Sequence, residues 1–151
     1  QLDGTYYARM ESAYGFGMIL FMFLIHRFAP RLPKGKLLLV GIVLDGLTYI
    51  PMYFSDTFWS TYLIFFIHSW AIPMIIVGRA ALIQTLVPAG MQGRVFSLVN
   101  ITVVGMTALS NALTGALAGV IPIHILFSII GLGGALCGLA GMLYRPLWRS
   151  D

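Results

Sequence analysis

The sequence predicts an all-α fold, a polytopic membrane helix bundle of five spans. Three observations carry that expectation. Of 151 residues, 59% are hydrophobic and only 9% are charged, where a soluble domain carries about a quarter charged side chains. The mean hydropathy is +0.91. The few charges also bracket long uncharged runs, such as TFWSTYLIFFIHSWAIPMIIVG between Asp56 and Arg79, enough helix to cross a hydrocarbon core of about 30 Å. A chain with so little polar surface has lipid as its solvent.

The spans follow in order. The first, 8–29, centres on YGFGMILFMFLIH, and Arg9 and Glu11 near its start leave its clean apolar part short. LLLVGIVLDGLTYIPMYF supplies the second, 36–54, crossed by one carboxylate, Asp45. The uncharged run quoted above lies in the third, 57–84. Between Arg94 and Arg145 a longer uncharged run holds two more, 93–119 and 122–145. IPIH at 121–124 is the expected turn between them, because Pro122 suits the first turn of a new helix.

Charge sets the expected orientation. RFAPRLPKGK (27–36) holds Arg27, Arg31, Lys34 and Lys36 with no acid; Arg79 and Arg94 flank the next loop on that side, and Arg145 and Arg149 follow the last span. The opposite turns, SDTF (55–58) and GVIPIH (119–124), hold no Lys or Arg. Every basic loop thus falls on one side, as cytoplasmic loops do, and the C-terminus is expected there, in a plasma or inner membrane. Nucleic acid is not an expected partner, because the basic residues form no continuous patch for a phosphate backbone. Cys137, the lone cysteine, excludes an internal disulfide and a cysteine cluster. Gln1 stands almost directly before the first span without a basic leader or cleavage site. The chain is therefore expected to be the C-terminal part of a longer one.

QTLVPAGMQGRVFSLVN (84–100) breaks the apolar pattern. Pro88 and Gly90 are expected to end one helix, Gly93 to permit a tight reversal, and Arg94 to sit at headgroup level. Arg79-Ala80-Ala81, Gln84, Val87-Pro88 and Gln92-Gly93-Arg94-Val95-Phe96-Ser97 together resemble the loop between the tenth and eleventh helices of major facilitator superfamily transporters. The likeness is greatest to the drug and macrolide efflux branch, which includes siderophore exporters. Helix order agrees: YGFGMILF resembles the Gly-rich eighth helix, and RFAPRLPKGKLLLVG resembles the basic loop after it. There Pro30-Arg31 replaces the family's Asp-Arg pair and only Gly35-Lys36 keeps the basic ending. Without the acid, these basic residues read as topology charges rather than a lock.

The resemblance implies that 1–151 is part of a C-terminal six-helix transporter domain, about helices eight to twelve, whose partner is a missing N-terminal half. It implies proton-coupled efflux of hydrophobic or amphipathic small molecules by alternating access, in antiport, among membrane lipids and without a cofactor. Pro73, Arg79, Gln84, Pro88, Gly93 and Arg94 are then the conformational or loop-motif positions. The alternative is a non-transporting polytopic membrane protein with an assembly or lipid-handling role.

Candidate site residues lie inside the spans. Asp45, halfway along its helix on a face with Gly41 and Tyr49, is costly unless paired, hydrated or protonated. It reads as a coupling or substrate residue, or as a protonated group bonded to a neighbouring helix. His68 shares a helical face with Arg79 at eleven residues' spacing; it reads as a titrating group or as a core histidine bonded to a backbone carbonyl. Neither lies in a metal-ligand spacing, and no nucleophile–base set or phosphate loop points to an enzyme. Asn100, Thr107, Asn111 and Thr114 form a polar line on the fourth span, opposite the small residues Ala108, Ala112, Gly115 and Gly119. That line reads as interhelical glue or as a cavity lining. Trp59, Tyr62, Phe66 and Trp70 repeat along the third span; Phe66 and Trp70 suit the apolar wall of a substrate site. Pro73 is expected to bend that helix near the midplane.

Overall fold

A computed structural model describes residues 4–55 and 57–150. Gln1 and Asp56, which bear on the expected start of the chain and on the SDTF turn, lie outside the described residues. The elements are helices α1 (Gly4–Phe28), α2 (Lys34–Tyr49), α3 (Phe58–His68), α4 (Ala71–Leu86), α5 (Ala89–Leu117), α6 (Ile123–Leu143) and the short α7 (Arg145–Trp148). Single 3₁₀ turns follow α1 and α2. Five stretches are long and apolar enough to span a bilayer: Ala8–Arg31, Lys34–Phe54, Phe58–Leu86, Ala89–Leu117 and Ile123–Leu143. The all-helical bundle of five spans expected from the charge spacing is the fold observed.

Helix α2 is the centre. It packs along α6 on one side and α4 on the other, while α1 lies against α3. The α2–α6 contact is backbone on backbone. A Cβ at Gly46 would overlap the Gly131 carbonyl and the Ala135 nitrogen, and one at Gly131 would overlap the Gly46 carbonyl. In lipid, where apolar side chains gain little by leaving the solvent, such small-residue contacts drive association. Ile25, Leu37 and Met74 tie α1, α2 and α4 together near the other end. Beyond α6 the chain returns over the start of α2: the Gly35 N–H donates to the Ser150 carbonyl at 3.1 Å, and the Lys36 ammonium lies 5.3 Å from the Trp148 ring centre. One N–H left over by the first turn of α2 is thereby satisfied.

Three expectations are refined or corrected. The third span, expected to bend at Pro73, divides into α3 and α4 at Ser69–Trp70, two residues that keep helical dihedrals. The division falls one turn before Pro73, because the proline ring clashes with the carbonyl four residues earlier, that of Ser69, and has no N–H to offer it. The chain tightens there, with the Trp70 N–H bonded to Ile67 O at 3.1 Å and the Ser69 hydroxyl donating to Phe66 O at 2.7 Å.

Second, α5 begins at Ala89, four residues ahead of the expected 93, so Gly90 and Gly93 are helical rather than turn residues. Among the described residues no glycine has a positive φ, and the reversal is made by Val87-Pro88 alone. Val87 is extended (φ −104°, ψ 129°), the conformation a following proline imposes. Third, the small-residue line of α5 makes no close backbone approach: a Cβ at Gly115 or Gly119 would meet nothing within 4 Å. No residue of α5 is buried. An apolar cleft of about 360 Å³ separates α5 from α6, between Met106, Leu109 and Leu113 on one side and Leu126, Ile129 and Ile130 on the other.

Candidate functional site

Asp45 and His68 meet. Asp45 lies about midway along the Lys34–Phe54 span, and His68, the last residue of α3, turns its ring toward α2. His68 Nε2 stands 3.5 Å from Asp45 Oδ1, and His68 Nδ1 stands 2.9 Å from the Thr48 hydroxyl. The Thr48 hydroxyl also donates to the Asp45 backbone carbonyl at 2.9 Å. His68 is 3% exposed; the Asp45 side chain retains 29%. Asp45 Oδ1 itself is buried and accepts no hydrogen bond. The geometry is one small approach short of a carboxyl–imidazole hydrogen bond, as is common for such groups at rest.

Aromatic rings enclose the imidazole. Tyr49, one turn after Asp45, lies with its ring centre 3.9 Å from that of His68 at an interplanar angle of 40°. Phe127 of α6 stacks behind Tyr49 at 5.4 Å, and Tyr14 of α1 is 6.1 Å from His68. A carboxyl and an imidazole that share one proton carry no net charge, whichever of them holds it. The pair can therefore hold a proton at the middle of the bilayer without a net charge, the condition that makes an intramembrane ionisable group tolerable. Beside it, Phe21, Leu44, Thr48, Ile67, Trp70, Ala71 and Met74 line an apolar cavity of about 140 Å³.

The other sequence candidates fall elsewhere. Phe66 and Trp70 face α1: Trp70 stacks on Phe21 at 5.7 Å, Phe66 on Phe16 at 6.4 Å. Only Trp70 of the two reaches the cavity. Asn100, Thr107 and Asn111 are exposed on α5 and Thr114 is half-buried at the cleft, none of them gathered at the pair. Pro73 is buried in the first turn of α4; Arg79 and Gln84 lie further along α4 and Pro88 caps α5. Gly93 and Arg94 are exposed within α5. The α4–α5 joint is held by Gln92, whose amide donates to Gln84 O at 3.1 Å and Val87 O at 3.0 Å. Those are carbonyls that the end of α4 leaves without helical partners.

Sequence reasoning missed Thr48 and Tyr14 as site residues and took Tyr49 only as a face-mate of Asp45. A signal for Thr48 exists: a threonine three residues after an intramembrane acid returns its hydroxyl to that acid's turn. No group of three or more His, Cys, Asp or Glu gathers for a metal among the described residues.

Five apolar spans with a carboxyl–imidazole pair enclosed between two of them define an integral membrane protein whose interior is built around an ionisable centre. The model of the Major Facilitator Superfamily matches residues 2–150. The chain belongs to that superfamily, a family of membrane transporters rather than of enzymes. Searches of curated proteins and of solved structures return no match.

Proposed function

We propose that this chain is part of the C-terminal half of a secondary active exporter, in the drug, macrolide and siderophore efflux branch. It moves hydrophobic or amphipathic small molecules outward in exchange for protons. The observation that carries the reading is the Asp45–His68 pair, two titratable groups on different helices at membrane depth, with Oδ1 lacking a hydrogen bond. An acceptor left open between two helices is fit to exchange protons as the helices rock. The apolar cavity at Thr48 and Trp70, about 140 Å³, is smaller than a drug-sized ligand needs, so the lipophilic substrate and the efflux branch both rest on the Arg79–Ser97 resemblance. The N-terminal half supplies the opposing bundle, and lipid surrounds both.

The test is transport by the full-length protein in proteoliposomes under an imposed pH gradient. Asp45→Asn keeps shape and loses the titration. Expected are normal folding, at least a tenfold loss of gradient-driven efflux, about 1.4 kcal/mol, and a flattened pH profile. A folded D45N protein with unchanged rate and profile removes proton coupling at this site. The orientation is checked separately: single cysteines at Pro33, Ala89 and Ser150 should label from the cytoplasm and those at Ser55 and Val120 from outside. Labelling of Pro33 and Ser55 from the same side overturns it.

A further inference from the structure

We propose that Thr48 is a positioning residue that fixes the tautomer of His68, so that Nε2, the nitrogen facing Asp45, is the one that takes up and releases a proton. The inference deepens the coupling role proposed above for the pair, yet the tautomer is read without any transport assay.

The hydroxyl carries a single proton. Thr48 Oγ1 lies 2.9 Å from the Asp45 carbonyl and 2.9 Å from His68 Nδ1. The carbonyl oxygen can only accept, and with the hydroxyl proton directed to it an oxygen lone pair faces Nδ1. Nδ1 must then carry its hydrogen, as the hydrogen bond at one ring nitrogen sets the state of the other. Nε2, 3.5 Å from Asp45 Oδ1, is left with a lone pair aimed at the carboxyl.

Charge points the same way. With Nδ1 protonated, one further proton serves the pair. When the Asp45 O–H bond breaks and an Nε2–H bond forms, carboxyl and imidazole become carboxylate and imidazolium, and the net charge is zero before and after. In the opposite tautomer Nε2 already holds the ring's proton. An ionised Asp45 would then leave an uncompensated negative charge in the bilayer, which is costly, and a protonated one would find no acceptor on the ring. The other titratable groups around the pair are Tyr14 from α1 and Tyr49 from α2, with Glu11 in electrostatic reach of Tyr14. Helix α6 presents Phe127 to Tyr49, and α4 presents Ala71 and Met74 beside Thr48. Tyrosine hydroxyls are neutral at physiological pH, so none of these supplies a second base to His68.

The experiment is nitrogen-15 NMR of the His68 ring in the full-length protein in bilayers, titrated with pH, for the native protein, Thr48→Ser and Thr48→Val. In the native protein Nδ1 should stay protonated throughout, and Nε2 should be the nitrogen whose resonance switches between lone-pair and protonated positions. Thr48→Ser should match it. Thr48→Val, which keeps the shape without the hydroxyl, should move a share of His68 to the Nε2–H tautomer and lower gradient-driven transport about tenfold, with Thr48→Ser restoring it. A native spectrum in which Nδ1 is the switching nitrogen overturns the proposal whether or not the valine variant folds. So does a Thr48→Val tautomer identical to the native one. If the tautomer follows Thr48 while transport ignores the pH gradient, the assignment of Thr48 stands and the coupling role of the pair falls.

Discussion

The spans built on α2 and α5, Lys34–Phe54 and Ala89–Leu117, use their polar residues in opposite ways. Helix α2 is enclosed by α4 and α6, and its Asp45 and Thr48 meet His68 within the chain. Helix α5 has more polar side chains and no buried residue; Asn100, Thr107 and Asn111 are exposed along it. In a bilayer, side-chain polar groups find partners on other helices or line water-filled space. The difference teaches that a polar line on an apolar helix marks a face that needs a partner, and that only packing tells whether this chain supplies it.

The contrast can be broken most forcefully at glycine. Gly46→Leu places a side chain where the α6 backbone lies, and should destabilise the protein by about 3 kcal/mol or more, read as a collapse of folded yield in detergent. Gly115→Leu on α5 meets open space and should leave the yield within experimental scatter. Equal losses at both positions would mean that α5 is packed as tightly as α2, and would end the comparison. A smaller effect sharpens it. Gln92→Ala removes the two bonds that tie α5 to the end of α4 and should cost about 1 kcal/mol, seen as a modest fall in thermal midpoint. Spin-label distances between α4 and α5 should broaden with it, while those between α2 and α6 stay narrow.

The number of spans was legible because charges are expensive in lipid, so their spacing alone marks the helix ends. Asp45 was legible for the same reason. Its pairing with His68 was not, since it depends on where the third span breaks, and the proline signal marks that place only to within a turn. Thr48 was hidden by its ordinariness: a threonine in a membrane helix usually bonds its own backbone, and here it does that and also meets His68. The 84–100 loop shows the converse failure. Two glycines and a proline read as a long turn, yet Pro88 alone suffices, and both glycines continue the helix because nothing requires them to leave it. The α5 line was legible as a pattern and not as a place, because periodicity reveals a face without naming its neighbour.

The return of the chain over the start of α2 has a practical consequence. Because Ser150 is bonded to Gly35 and Trp148 lies beside Lys36, the tail is a lever resting on the helix that carries Asp45. A small fluorophore attached at Arg149, whose side chain is exposed, would ride with α2 without touching its buried faces, giving an optical gauge of how far that helix tilts.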